Sequence, residues 1–459
     1  MNKIAAIVGL TWKAAFRYRL FWILSALLAA AVLGLPMLLK DDGTAQGMVQ
    51  ILLTYTLSAT ATLLGFATLW ISCGTLARDV EECQVQMVAV KPIARWQIWL
   101  GKWLGLLSLN AALLALAGGS IFLMLHWRAG RLPAGEQKIL HEQIFVSRSS
   151  AREPLPDFKQ AVERYMKQTI KNPSAMDPSD LQEIRLQLTA QFETNYTVLP
   201  AGTWRPWGID LHALKDQLRD QPLQLRIKFH TASNRGEETF PTIWKVGPTN
   251  SPKQLEMEES FPADSFQEFT IPPNMLDDKG RLWIEVANPN SMDLIFPLED
   301  GMELLYPEST FGINFIRGLA IIFCWLALLA SVGLAAASFL SFPVAAFVSL
   351  AVLLVGLSSG TVSTVVEQGT ITGFVAAKSG YGHSVVDYVI VPIFQGTLKI
   401  LKLVESFSPI DSLSTGRSIT WEQVGLAVTQ IIFILSGFFC VAGILLFTRR
   451  ELATAQGNS

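Results

Sequence analysis

The chain has 459 residues, 50% of them hydrophobic and only 16% charged, with a formal net charge of −2 and a mean hydropathy of +0.35. Soluble domains usually carry about 25% charged residues, so this balance points away from an ordinary globular protein. A chain so near neutrality has no global basic field for nucleic acid, and nucleic acid is not expected as a partner.

Residues 1–19 predict an interfacial amphipathic helix. Ile4, Ile7, Val8, Trp12, Ala15 and Phe16 cluster on one face, with Lys and Arg elsewhere. Such a helix lies in the headgroup layer of an anionic leaflet. Uncharged apolar runs then predict six transmembrane helices. Three fall within 20–126, at 20–39, within 51–76, and at 103–125. No charged residue occurs from Gly318 to Val366, which is room for two spans of roughly 20 residues each. Ser341-Phe342-Pro343 is the natural place to fold them back. The sixth run is 423–448. A charge at a helix centre costs about 2.5–3.5 kcal/mol on insertion, so runs of this length mark a lipid bilayer as the surroundings. Lys40-Asp41-Asp42 follows the first run with no small-residue cleavage pattern, which argues for a span and against a signal peptide.

Lys3, Lys13, Arg17 and Arg19 precede the first span, and Arg449 and Arg450 follow the last. The positive-inside rule then puts both termini in the cytoplasm. The cell membrane is the expected location, and in a bacterium the inner membrane. The segment 77–98 is expected to be cytoplasmic, and 127–311 to be extracytoplasmic. In the last part, 312–459, outer interfacial helices are expected over 360–420. Within them 386–404 has Asp387, Lys399 and Lys402. It reads as an interfacial helix, with a re-entrant segment as the alternative.

The insert 127–311 is expected to be an α+β domain, a helical part followed by an antiparallel β-sandwich. In 157–171, Phe158, Val162, Tyr165 and Met166 share a helix face. Asp177-Pro178 suits a helix start, yet Ile184, Leu186, Leu188, Ala190 and Phe192 also alternate as a strand would. Beyond Trp204 strands dominate: 223–229, 239–246, 265–271, 282–286 and 292–297, with "DDKG" and "NPNS" as turns. Trp204, Trp207, Trp244 and Trp283 either stack on a ligand ring or fill the core at strand spacing.

Cys73, Cys83, Cys324 and Cys440 all fall in spans or on the cytoplasmic side, so no disulfide is expected in the insert. No Cys/His spacing suggests a metal, and no nucleotide-binding or metalloprotease motif occurs. An enzyme is therefore not expected. Gly101 and Gly105 form a GxxxG at the start of the third span, where a neighbouring helix could approach closely.

One stretch stands out against its apolar flanks: "ARDVEECQVQMVAVKPIARWQIWLGKWLG", residues 77–105. It carries Arg78, Asp79, Glu81, Glu82, Lys91, Pro92 and Arg95 between two spans. Acids and an Arg on a helix, then a Pro, an Arg and "GK" leading into the third span, resemble the ABC-2 type permeases of ATP-binding-cassette transporters. "LFTRREL" at 446–452 is similar to the usual ending of that family. The likeness covers the spans but not the enlarged insert, and it departs from the family at Cys83-Gln84, where Gly-Thr is common.

What the resemblance implies is a permease subunit of an ATP-driven exporter. The seven charged-segment residues would then form a coupling helix seated on a separate ABC ATPase chain. ATP and Mg would be bound by that partner, and this chain would hold no cofactor. A second permease copy or a paralogue would complete the dimer. The alternative is a non-transporting envelope complex, in which ATP work shifts the outer domain against an extracytoplasmic partner.

Overall fold

The computed structural model describes residues 3–17, 19–38, 44–81, 93–140, 144–169, 178–231, 239–248, 254–298, 300–357, 374–375, 380–381, 392, 395–396, 398–399 and 407–449. Helices α1 (Lys3–Arg17), α2 (Leu20–Leu38), α3 (Ala45–Glu81), α4 (Arg95–Ala129) and α5 (Ala134–Ile139) come first. Next are β1 (Val146–Ala151), α6 (Phe158–Thr169), α7 (Pro178–Thr197), β2 (Val198–Leu199) and β3 (Trp204–Asp210). Strands β4 (Leu223–Ile227), β5 (His230–Thr231), β6 (Thr239–Val246), β7 (Leu255–Pro262) and β8 (Gln267–Ile271) follow. Then come β9 (Arg281–Ala287), β10 (Leu294–Ile295) and β11 (Met302–Thr310). The chain closes with α8 (Phe311–Ala337), α9 (Phe342–Leu357), α10 (Pro409–Ser414) and α11 (Trp421–Arg449). The chain divides into two compact units, 1–147 with 309–459, and 148–308.

In the first unit, α3, α4, α8 and α11 are each long and apolar enough to cross a bilayer. Helices α1 and α2, bent by 67° where they meet, meet the same test as a pair. The described residues therefore hold four or five candidate spans, against the six expected. Helix α9 has 16 residues, about 24 Å of rise against a hydrocarbon core of roughly 30 Å. Helices α3 and α4 have 37 and 35 residues, so they run past the apolar stretches and carry their charged ends clear of the lipid. Phe347, Phe433, Phe438 and Leu123 are exposed on the flanks, as lipid-facing side chains are. Exposed Trp22, Trp70 and Trp96 lie toward one end of the bundle, and Trp127 and Trp421 toward the other. Tryptophan collects at both bilayer interfaces in this way.

Small residues set the helix crossings. A Cβ on Gly333 of α8 would meet Ser72 of α3, and one on Gly443 of α11 would lie 2.9 Å from the Trp99 indole nitrogen of α4. Leu53, Leu57 and Leu64 of α3 fill the middle of the bundle with Leu113 and Ile121 of α4 and Ile322 of α8.

Away from the α3–α4 turn, two polar residues of α8 hold the chain that leads into α11. The Asn314 side chain donates to the Arg417 carbonyl at 2.8 Å and accepts from the Ile419 N–H at 2.7 Å. Arg317 donates to the Ile419 carbonyl at 2.9 Å. Leu413 and Ile419 are buried in the bundle core. Residues 407–420 are thus anchored on the bundle through Pro409, Leu413 and Ile419, while Asp411 stays exposed, which the interfacial helices expected over 360–420 did not include. The stretch 386–404, expected to be interfacial or re-entrant, lies outside the described residues, apart from isolated positions.

Among the described residues, the second unit has two four-stranded sheets, ordered β1-β11-β4-β8 and β3-β9-β6-β7, and a small sheet β2-β10-β5. The pairs β2–β10, β5–β10, β4–β11, β4–β8, β3–β9, β6–β9 and β6–β7 are all antiparallel. Alternation decides which side chains go in. Leu223, Leu225 and Ile227 from one sheet meet Trp244, Leu282, Ile284 and Val286 from the other in one buried core. That is the sandwich expected from the sequence. "DDKG" closes on Gly280 at φ 74°, a left-handed position that glycine tolerates best. Residues 178–197, open between helix and strand in the sequence, are helical.

The insert is shorter than 127–311 at both ends. Helix α4 runs on to Ala129, and the Phe145 ring stacks on His126 at 5.1 Å and on Phe311 at 5.4 Å, which keeps these residues in the helical unit. On the face of β4 away from the core, Arg148 and Arg226 both pair with Glu268. Burial alone would raise the Glu268 pKa, but the two guanidinium groups outweigh it and hold the carboxyl below its ordinary value.

Candidate coupling site

The last turns of α3 bring the charged segment out of the apolar core. Leu76 and Ala77 are still fully buried; the next residues fasten α3 to two other helices, α4 and α9. Asp79 accepts from Lys102 of α4 at 2.5 Å, and the same ammonium donates to the Thr75 carbonyl at 2.6 Å. Lys102 thereby pairs with a carboxylate near the end of α3 and also bonds a backbone carbonyl one turn before it. Its side chain is only 11% exposed, against 34% for Asp79.

Glu81 accepts from the backbone N–H of Phe342 at 2.9 Å. That N–H is one of the unsatisfied donors at the start of α9, so the carboxylate closes the helix end. The Arg78 guanidinium lies 4.4 Å from the Phe342 ring centre, a cation–π contact. Arg95, the first residue of α4, donates to the Phe447 and Thr448 carbonyls at 3.1 and 2.8 Å. It closes the C-terminal end of α11. Beneath these contacts the Trp99 indole donates to Ser338 at 3.1 Å, and the ring is fully buried beside Phe447, Cys73 and Leu76.

Of the seven candidate coupling residues, the structure brings Arg78, Asp79, Glu81 and Arg95 to one end of the bundle. Glu82, Lys91 and Pro92 lie outside the described residues. Lys102, the lysine of the "GK" that leads into the third span, and Trp99 are members that the candidate coupling set left out. Lys102 follows Arg95 by seven residues, two helical turns, so the pair shares a face; that spacing was the available signal.

Gly101 and Gly105 do pack a helix, and it is α1. A Cβ on Gly101 would lie 2.8 Å from Ile7 Cβ, and one on Gly105 2.8 Å from Thr11 Cβ. The Trp12 indole donates to Ser108 at 2.8 Å. The face of α1 that carries Ile7, Thr11 and Ala15 is thus buried on protein, while Leu10 and Phe16 are exposed. Gly101→Leu is expected to push α1 off α4, since overpacking of this kind costs about 1–3 kcal/mol. Hydrogen exchange over residues 3–17 should speed up. Gly119→Leu, at a position with open space, should leave that exchange unchanged.

The four tryptophans do not make one stacking platform. Trp244 is fully buried and donates to Thr242 at 2.7 Å, and Trp207 is also buried. Trp283 donates to Asp277 at 3.3 Å and packs over Gly208. Of the four, Trp204 alone is exposed. Compared with known protein families, curated proteins and solved structures, the chain has no match.

Proposed function

We propose that this chain is the membrane-spanning permease subunit of an ATP-driven exporter of the ABC-2 type. A separate ATPase chain binds ATP and Mg, and a second copy or a paralogue of this chain completes the permease pair. Helices α2, α3, α4, α8, α9 and α11 make six crossings, with the α3–α4 turn in the cytoplasm and the second unit outside. The observation that supports this reading best is the set of ties around that turn. Asp79 engages α4, Glu81 and Arg78 engage α9, and Arg95 engages α11. A push on residues 82–92 has a rigid route into three helices at once, which is what a coupling element needs.

The other reading is an ATPase-linked complex that moves nothing across the membrane and acts through its outer domain. The size and separate core of the second unit favour it. Flux in vesicles holding the permease and its ATPase separates the two.

The decisive test is purification from membranes with any bound ATPase. Wild type should bring down an ATPase chain, and Glu82→Lys should lose it while remaining correctly inserted. Recovery equal to wild type would remove the coupling assignment. In parallel, with native cysteines replaced elsewhere, an impermeant maleimide should label Ser150→Cys and Thr415→Cys in intact cells. Cys83 should react only after permeabilisation. Labelling of Cys83 from outside would overturn the orientation.

A further inference from the structure

The second unit holds a partly open cavity of about 40 Å³. A water needs about 10–15 Å³ by this measure, so the space takes a group of a few heavy atoms. Two kinds of side chain make its walls. Phe296, Leu298, Met302 and Leu155 are apolar; Arg152, Glu153, Tyr196 and Arg205 are not.

Most of the polar groups are already spent. Glu153 accepts from the Tyr196 hydroxyl at 2.5 Å, from Arg205 at 3.0 Å and from the Gly208 N–H at 3.3 Å. Arg205 also donates to the Tyr196 carbonyl and is stacked 4.0 Å from the Tyr196 ring and 4.5 Å from the Trp207 ring. Burial first, and then the bond to Glu153, push the Tyr196 pKa up to about 12, so its hydroxyl remains a donor to that carboxylate. These groups form a fixed wall.

Arg152 differs from them. It pairs with Glu303, whose carboxylate is fully buried, yet 38% of the Arg152 side chain stays exposed. A guanidinium carries five N–H donors, and the Glu303 pair holds it in one place. Behind Glu303, across the strand pair, Arg226 and Arg148 share the single carboxylate of Glu268. The arginines of this region thus fall into three groupings: Arg152 with Glu303, Arg205 with Glu153, and Arg148 with Arg226 on Glu268. Arg152 is the most exposed of these arginines.

We propose that this cavity binds a small organic carboxylate, its charged end on Arg152 and its apolar body on Leu298, Met302 and the exposed Leu155. The fixed guanidinium supplies a charge-assisted bond of the stronger class. The apolar walls favour an alkyl acid over an inorganic anion. The inference concerns the second unit alone and does not depend on the exporter reading.

The test uses the full chain in lipid nanodiscs, with thermal unfolding and calorimetric titration against sodium butyrate at constant ionic strength. Butyrate should raise the melting temperature with a saturable dependence, and butyramide, the neutral isostere, should not. Arg152→Gln should weaken butyrate binding by about tenfold or more, the usual scale for a lost charge-assisted bond. Leu298→Trp fills the cavity and leaves the Arg152–Glu303 pair in place, so it decides the matter should Arg152→Gln fail to fold. It should abolish binding. No saturable shift with butyrate, an equal response to butyramide or phosphate, or binding retained in Leu298→Trp would each overturn the proposal.

Discussion

Replacing Trp99 with alanine is expected to destabilise the helical unit by about 3–5 kcal/mol, the range for a large aromatic truncated in a core. The indole is fully buried and lies where α4, α8 and α11 meet. It donates to Ser338 of α8, and its ring lies against Gly443 of α11, where a methyl group would come within 2.9–3.0 Å. Nothing nearby can fill the hole without breaking that fit, because the facing helices are held close by glycine. Ser338 keeps its own bond to the Leu334 carbonyl, so the loss is one of packing more than of a stranded hydroxyl. Trp96→Ala, three residues earlier and half exposed, should stay within about 0.5 kcal/mol of wild type. Thermal unfolding of both variants in detergent checks the contrast. Equal melting temperatures would show that the Trp99 ring is not packed between α4, α8 and α11.

The membrane character was legible because insertion penalties leave a long-range mark: charge vanishes for the length of a bilayer. The sandwich was legible for a similar reason. Alternation at 223–229 and 282–286 predicts β4 and β9, and the short strand candidate 239–246 matches β6 at both ends. Strands β7 and β11 were not foreseen. Exposed Glu256, Glu258 and Glu259 give β7 a polar edge with weak alternation. In β11, Glu303 is fully buried between apolar sequence neighbours because Arg152, just past the end of β1, meets it. A partner that distant in sequence leaves no local signal.

The candidate site shows the same limit more sharply. Charge density between two apolar runs singles out 77–98, and four of its charged residues do converge at one end of the bundle. Their contacts could not be read from it. Glu81 closes the start of α9, 261 residues away, and Arg95 closes the end of α11, 352 residues away. A sequence window sees exposed-looking charges where the fold uses them as helix caps. For Gly101 and Gly105 the pattern announced a close approach without naming the partner. That partner, α1, reads as a headgroup-layer helix because its protein-facing side is also apolar.

The Asp79–Lys102 pair gives the second large effect, and a double-mutant cycle shows its form. Removing one member of a buried ion pair costs about 3–5 kcal/mol; here the figure falls to roughly 1–3 kcal/mol, because Asp79 is a third exposed and water screens it. Asp79→Asn should be the worse single change, since it leaves the nearly buried Lys102 ammonium with the Thr75 carbonyl as its remaining described partner. Lys102→Met leaves Asp79 beside the negative end of α3, but still in contact with solvent. The double variant Asp79→Asn/Lys102→Met removes both charges and should recover much of the loss, so the singles should exceed additivity by about 1–3 kcal/mol. Strict additivity in thermal unfolding would mean that the two groups do not interact. The functional arm carries more. If the proposed coupling is right and the pair is the bolt between α3 and α4, the double variant should insert, melt near wild type and still bring down the proposed ATPase, while the proposed ATP-driven movement is lost. Wild-type function in a stable double variant would reduce the pair to a structural contact, and would leave Glu81 on α9 and Arg95 on α11 as the route by which a push at the turn reaches the bundle.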